Sequence, residues 1–196
     1  MTPWLVVGLG NPGERYALTR HNIGARVADR LVERLGSRLR KVRFIALEAA
    51  EANLDGQGVY IVRPQAFMNV SGPPVASFAK RRKIDVEHVI ACHDEIDLAF
   101  GALKIKRGGS TAGHNGLKSL QQAFGSPDFH RIRLGVGRPP GRKDAADHVL
   151  DRFTKAERDE VELLIEEGAD AVETLIRHGL AAAQDRHNRS GPSRFD

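Results

Sequence analysis

Short apolar runs that stop at a glycine or a polar cluster alternate along this chain with stretches whose apolar residues return every three or four positions. Trp4-Leu5-Val6-Val7-Gly8 reads as a buried first strand. From Asn22 onward, Ile23, Val27, Leu31 and Leu35 share one helix face, and Gly36 is placed to end it. Phe44 to Ala52 and Val59 to Arg63 flank the turn Asp55-Gly56-Gln57-Gly58 and predict a strand pair. Pro73-Pro74 can open a helix that buries Val75, Phe78 and Ala79. His88 to Asp94 and Ala102 to Lys106 predict two further strands, and Gly108 to Gly113 leads into a short helix, Asn115 to Phe124. Across Phe129 to Gly137, Ile132, Leu134 and Val136 face one side, Arg131 and Arg133 the other. Pro139 to Asp144 reads as a linker. Thr154-Lys155-Ala156-Glu157 has capping-box spacing ahead of a long amphipathic helix through Leu175 and Ile176, and the chain from Arg186 is a polar end expected to fray. Strands alternating with helices predict an α/β fold, and 196 residues suit one domain.

With 41% apolar and 28% charged residues, the chain can bury a core and is not disordered by composition. No apolar run approaches a membrane span, so no membrane partner is expected. Met1-Thr2-Pro3-Trp4 lacks a basic stretch followed by an apolar one, so no secretory leader is expected. A single cysteine, Cys92, excludes a disulfide framework and any cysteine-built zinc site, which makes the cytoplasm the simplest compartment. The net charge of +5 suits a protein that meets phosphate without wrapping it, and equally an ordinary basic enzyme.

Gly8-Leu9-Gly10-Asn11-Pro12-Gly13 matches the dinucleotide fingerprint after a strand. That site also needs a helix starting inside the motif and a second strand ending in an acid. Here Pro12 and Gly13 interrupt the helix, and the region of Glu33 is helical. A nucleotide-dependent oxidoreductase is therefore disfavoured. The loop is either a tight turn or a turn that holds Asn11 at a strand end.

Four segments place polar groups at element ends: Asn11 with Thr19-Arg20-His21-Asn22; Phe67-Met68-Asn69-Val70-Ser71-Gly72; His93-Asp94-Glu95-Ile96-Asp97; and Gly113-His114-Asn115-Gly116. Each alone has a structural explanation as a turn or cap. No serine sits in a nucleophile elbow, and no HExxH spacing exists. His93-Asp94 with His114 is a minor metal candidate. What remains is histidine, aspartate and carboxamides. Histidine can serve as a base near neutrality, aspartate can stabilise the imidazolium, and amides can grip peptide groups or an oxyanion. This chemistry fits water attack on an activated acyl group.

Taken in order, Gly8 to Gly13 with Tyr16 and Thr19-Arg20-His21-Asn22, Pro64 to Gly72, His93 to Leu98, Gly113 to Lys118, and Phe129 to Arg133 running into Gly135-Val136-Gly137-Arg138-Pro139 resemble the bacterial peptidyl-tRNA hydrolase family. The resemblance spans about Trp4 to Asn188. It implies a hydrolase domain over 1–188, a three-layer α/β fold with a mixed sheet enclosed by helices, and a polar tail, 189–196, expected to be disordered. It implies a monomer without an obligate protein partner, metal or organic cofactor. The implied activity is hydrolysis of the ester between a peptide and the 3′-terminal ribose of tRNA, recycling peptidyl-tRNA that left the ribosome early.

By the same resemblance His21 is the base, Asp94 its support, and Asn11 the residue separating N-blocked from free aminoacyl substrate. Asn69 and Asn115 hold the substrate, Tyr16 and Phe67 lie near the terminal nucleotides, and Lys106 with Arg133 grips a tRNA phosphate. The segment Asp144 to Phe153 is either a lid over the cleft or a helix packed on the body. A non-catalytic RNA-binding protein on the same fold is the competing class. It would need neither His21 nor Asp94.

Overall fold

The apolar run Trp4–Gly8 becomes the central strand, β1, of a computed structural model that describes residues 1–191. The other strands are β2 (Arg40–Lys41), β3 (Leu47–Leu54), β4 (Gln57–Pro64), β5 (Val89–Glu95), β6 (Leu103–Arg107) and β7 (His130–Gly135). They form one sheet in the order β2-β3-β4-β1-β5-β7-β6. The pairs β1/β4, β1/β5 and β5/β7 are parallel, while β2/β3, β3/β4 and β6/β7 are antiparallel. A mixed sheet is the result, and its parallel centre is buried on both sides. That is why β1 and β5 read as continuous apolar runs rather than alternating ones.

Helix α1 (Ile23–Arg34) lays Ile23, Val27, Ala28 and Leu31 against one side of the sheet. Gly36, at φ +61, closes it as the sequence predicts. The long helix α5 (Arg158–His187) covers the same side with Leu164, Ile165, Val172 and Leu175. Helices α2 (Gly72–Arg82) and α3 (Asn115–Phe124) cover the other side through Val75, Phe78, Leu117 and Leu120. Each such fully buried side chain contributes about 1.5–3 kcal/mol of transfer free energy. The short helix α4 (Ala145–Val149) stands at the carboxyl end of the parallel strands. Open α/β sheets bind their ligands there.

Several local details go beyond or depart from the sequence reading. Phe44 does not begin a strand: it is 82% exposed at φ +64 in a turn, and β3 starts at Leu47. Arg131 alternates away from Ile132 as predicted, but that side of β7 is roofed by the loop before α3, and the side chain is fully buried. The end expected to fray stays helical to His187, whose buried Nε2 lies 2.8 Å from the Thr174 hydroxyl, with non-helical Gly179 bending the helix between them. Arg189, assigned to the tail from sequence, exchanges backbone hydrogen bonds with Leu103. Residues 192–196 of that tail lie outside the described residues. Among the described residues no helix is long and apolar enough to cross a membrane.

Candidate active site

The carboxyl ends of β1 and β5 meet the amino end of α1, and three backbone contacts set the spacing. The Leu9 N–H donates to the Cys92 carbonyl at 3.1 Å, and the Ala25 N–H donates to the Leu9 carbonyl at 3.0 Å. Gly24 lies so close to β5 that a Cβ there would stand 2.0 Å from the Cys92 carbonyl oxygen. The first turn before α1 is thereby pressed onto the end of β5, and His21 reaches Asp94. Its Nδ1 lies 2.9 Å from both carboxylate oxygens.

Asp94 is shared. His114 Nε2 is also 2.9 Å from its Oδ1. The proton on His114 can be assigned from its other nitrogen: Nδ1 accepts from the Gly116 and Leu117 N–H groups at 3.1 and 3.3 Å, capping α3. Nε2 therefore carries the hydrogen and donates to Asp94. The carboxylate takes a second donor from His21 Nδ1–H, which leaves His21 Nε2 as a bare acceptor. Asp94 is only 2% exposed. Burial alone would raise its pKa, but the two imidazoles hold it well below the usual carboxylate range. His21 feels the reverse balance: burial lowers its pKa, and the charge and hydrogen bond of Asp94 more than undo that, leaving it raised. Beneath them His93 is fully buried and kept neutral by desolvation, its ring 5.0 Å from that of His114.

A cleft of about 590 Å³ opens over this pair. Asn11, Asn69 and Asn115 all line it, from three separate segments. Asn11 is oriented by its neighbours: its backbone N–H and carbonyl are both bonded by the Asn22 side chain at 2.9 Å, and its Oδ1 accepts from the Met68 N–H at 2.8 Å. The Asn11 Nδ2 hydrogens are therefore the part turned toward the cleft. Asn69 and Asn115 are exposed at the rim. Phe67 lines the cleft edge and meets Tyr16 edge-on, ring centroids 6.4 Å apart. Ala145, Ala146, Val149 and Leu150 make one wall, so the segment 144–153 borders the cleft. Its far end is tied to the histidine segment: Arg20 donates to the Arg152 carbonyl at 2.6 Å and pairs with Glu157 at 2.8 Å.

Lys106 and Arg133 stand outside the cleft. The register pairs Lys106 with Arg131 and Lys104 with Arg133, which puts Lys106 and Arg133 diagonally on one face. Burial and then the neighbouring guanidinium groups depress the Lys106 pKa. Glu95, a cleft residue, accepts from Arg133 at 3.3 Å and joins the basic face to the site. The fully buried Arg131 donates to the Ser110 and Gly109 carbonyls at 2.6 and 2.9 Å, fixing the loop that delivers His114 and Asn115.

Sequence reasoning gave Glu95 and Arg131 no role in the site, and gave His114 only a minor one as a metal candidate. For His114 a signal existed, since it precedes a helix that it caps. The minor metal candidate is redrawn: His93 turns its Nδ1 to the Asp94 backbone carbonyl at 2.7 Å, and the close group is His21, Asp94 and His114, with ligand atoms within 4.8 Å. Hydrogen bonds account for each contact in that group.

A family model described as peptidyl-tRNA hydrolase matches residues 5–194. A peptidyl-tRNA hydrolase of Frankia casuarinae is 52% identical over 186 residues, covering 95% of this chain and 94% of its own. One from Mycobacteroides abscessus is 53% identical over 182 residues, covering 93% of each. The crystal structure of peptidyl-tRNA hydrolase from Acinetobacter baumannii superposes with a TM-score of 0.91 at 32% identity, covering 98% of this chain and 97% of that one.

Proposed function

The chain belongs to the peptidyl-tRNA hydrolase family and is a hydrolase, and on that premise we propose that His21 activates water to cleave the ester between peptide and 3′-terminal ribose. The observation that carries this reading is the His21–Asp94 pair at the floor of a cleft rimmed by carboxamides. His21 Nε2 takes a proton as water attacks the ester carbonyl. The imidazolium that forms is stabilised by Asp94, which His114 holds in place from its other side. The oxyanion of the tetrahedral intermediate is met by the amide N–H groups of Asn69 or Asn115. The ribose oxygen leaves with the proton that His21 returns. Tyr16 and Phe67 offer ring faces to the terminal nucleotides, and Lys106 with Arg133 a phosphate contact. Contacts to backbone, phosphate and 3′ end let one site serve every tRNA and peptide. Free peptidyl-tRNA in the cytoplasm, lost early from the ribosome, is the substrate this reading assigns.

The test is release of free tRNA from N-acetyl-aminoacyl-tRNA and from unblocked aminoacyl-tRNA, each with excess chelator. Hydrolysis of the blocked substrate alone, unaffected by chelator, is expected. Equal hydrolysis of both would overturn the selectivity, and loss with chelator would make His21, Asp94 and His114 a metal site instead.

Asn11 supplies a sharper prediction. Its Oδ1 is engaged by Met68, so Nδ2–H is available to the carbonyl of an N-blocking acyl group. A free amine offers no such acceptor, and an unpaired buried donor costs about 1–3 kcal/mol. Asn11→Asp exchanges that donor for an acceptor and a negative charge. The blocked-to-free ratio of kcat/KM is expected to fall roughly tenfold or more in Asn11→Asp, and less in Asn11→Ala. A ratio equal to wild type in both folded variants would leave Asn11 as a turn residue only.

A further inference from the structure

Arg26, Arg30, Arg34, Arg63, Arg107, Arg138 and Arg177 each reach a carboxylate. Other cations among the described residues have no ion pair, and six of them gather in one region. The segment after α1 carries Arg38, Arg40, Lys41 and Arg43, and α2 ends in Arg81 and Arg82. The fold brings the two together, with Arg81 donating to the Arg43 carbonyl at 3.3 Å. Among the described residues none of these six is ion-paired, and together they exceed the whole net charge of +5.

Between the two basic segments lies a groove of about 760 Å³ at the β2 edge of the sheet. Arg38, Arg40, Lys41 and Arg82 line it, with Glu51 as its one carboxylate. Its floor is aromatic: Arg82 lies over the rings of Tyr60 and Phe78, at 4.9 and 5.5 Å. Beside it, Phe44 is 82% exposed, held at φ +64, with the Arg43 guanidinium 4.5 Å from its ring. A bulky residue at positive φ with its ring in solvent contributes no burial, and such strain gathers where a surface has work to do. None of these groups belongs to the cleft around His21.

We infer that this groove is a second RNA-binding surface, in which the guanidinium groups hold phosphates and the Phe44 ring at its side stacks a base. Planar guanidinium groups match phosphate oxygens in a bidentate way, and exposed aromatic rings beside cations are the platform on which single-stranded bases stack. A concave basic groove tracks a backbone, whereas a lipid surface calls for a flat or convex one. β2 pairs with the start of β3, which pairs with the end of β4, so Arg40 and Lys41 lie toward the same end of the sheet as the cleft. Four strand spacings separate β2 from β5, roughly 19 Å. That places the groove within reach of an RNA whose end occupies the cleft, and also leaves it open to a separate strand. The binding chemistry is the same for both sources.

The test is a triple variant, Arg38→Gln with Arg40→Gln and Lys41→Gln, in the full chain. These exposed, unpaired side chains leave the core and the cleft untouched. The Kd values for deacylated tRNA and for a short single-stranded RNA are measured from 50 to 200 mM salt. The variant is expected to bind both about tenfold more weakly at low salt, with a salt slope lower by about 2, for three contacts at roughly 0.7 each. Turnover of a minimal N-acetyl-aminoacyl-adenosine substrate should be unchanged. A parallel rise in KM for full-length substrate would assign the groove to the substrate's own tRNA, and an unchanged KM would assign it to another strand. Phe44→Ala should weaken the single-stranded RNA alone. RNA affinities and salt slopes equal to wild type would overturn the proposal. So would wild-type binding to phosphatidylserine vesicles without RNA binding. The affinity readouts need no catalysis, so failure of the His21 mechanism would leave this surface separately tested.

Discussion

His21→Ala is expected to fold as the wild type does and to release tRNA from N-acetyl-aminoacyl-tRNA ~10²–10⁴-fold more slowly, the usual loss on removing a general base. The two halves of that expectation have separate causes. Folding survives because Asp94 keeps its hydrogen bond to His114, so no buried carboxylate is left without a partner. The vacated volume opens on the cleft, where water can fill it. Rate falls because the remaining imidazole, His114, spends its Nδ1 on the α3 amides and presents no free lone pair. Affinity for deacylated tRNA should be unchanged, which separates lost chemistry from lost binding. The pH profile extends the test. The base works unprotonated, so kcat/KM should rise with pH through a midpoint above that of a free histidine, because Asp94 raises the His21 pKa. In Asp94→Asn that midpoint should move to lower pH and the plateau should drop, each lost pKa unit being about 1.4 kcal/mol of imidazolium stabilisation. Wild-type turnover in folded His21→Ala, or an unmoved midpoint in Asp94→Asn, would remove the pair from the mechanism.

Gly24→Ala is the second large effect, and it acts through the backbone. The added Cβ would stand 2.0 Å from the Cys92 carbonyl oxygen and 2.6 Å from its carbon, atoms of a central strand that cannot yield. Helix α1 must lift from β5 instead. Overpacking costs about 1–3 kcal/mol in forgiving sites, and here the upper end or more is expected. For a chain of this size each kcal/mol is worth roughly 2–4 °C in Tm, so a drop of about 6–12 °C should be seen. Activity should fall further than stability does, because His21 precedes Gly24 by less than one helical turn and its 2.9 Å contact to Asp94 is set by the same approach. Gly58→Ala is the control: its Cβ would meet only Pro3 at 3.5 Å, an ordinary contact. A Gly24→Ala protein with wild-type Tm and turnover would refute this account of how the site is spaced.

The features legible from sequence were those with a local cause. β1 announces itself because a strand buried on both faces must be apolar throughout, and α1 because its apolar residues return at helical spacing and Gly36 stops it. That Asn11, His21, Asn69, Asp94 and Asn115 line one cleft has no local signature. It came from the resemblance of the ordered segments, and the geometry follows from β1 and β5 being neighbours in the sheet. What was not legible depends on packing between distant segments. Arg131 sits on the alternation expected of a solvent-facing residue, and only the loop folded over β7 buries it. Arg40–Lys41 forms a two-residue edge strand too short to carry periodicity. His187 stays helical because Thr174, on the far side of the Gly179 bend, lies within hydrogen-bonding distance.

The Arg131 strut has a consequence for how this protein can change. A guanidinium with no exposed surface has been taken out of water to hold two loop carbonyls, and its Nε finds no partner among the described residues. Desolvating a charge is costly, and a neutral side chain of similar volume would remove that cost while leaving the two loop carbonyls to find other partners. The chain thus carries a built-in opposition between thermal tolerance and an ordered loop before α3. Selection for heat resistance alone would drift toward an apolar residue at 131 and release the loop. Selection that also scores turnover would retain the arginine and seek its stability elsewhere, along α1 and α5, where packing can improve without touching the cleft.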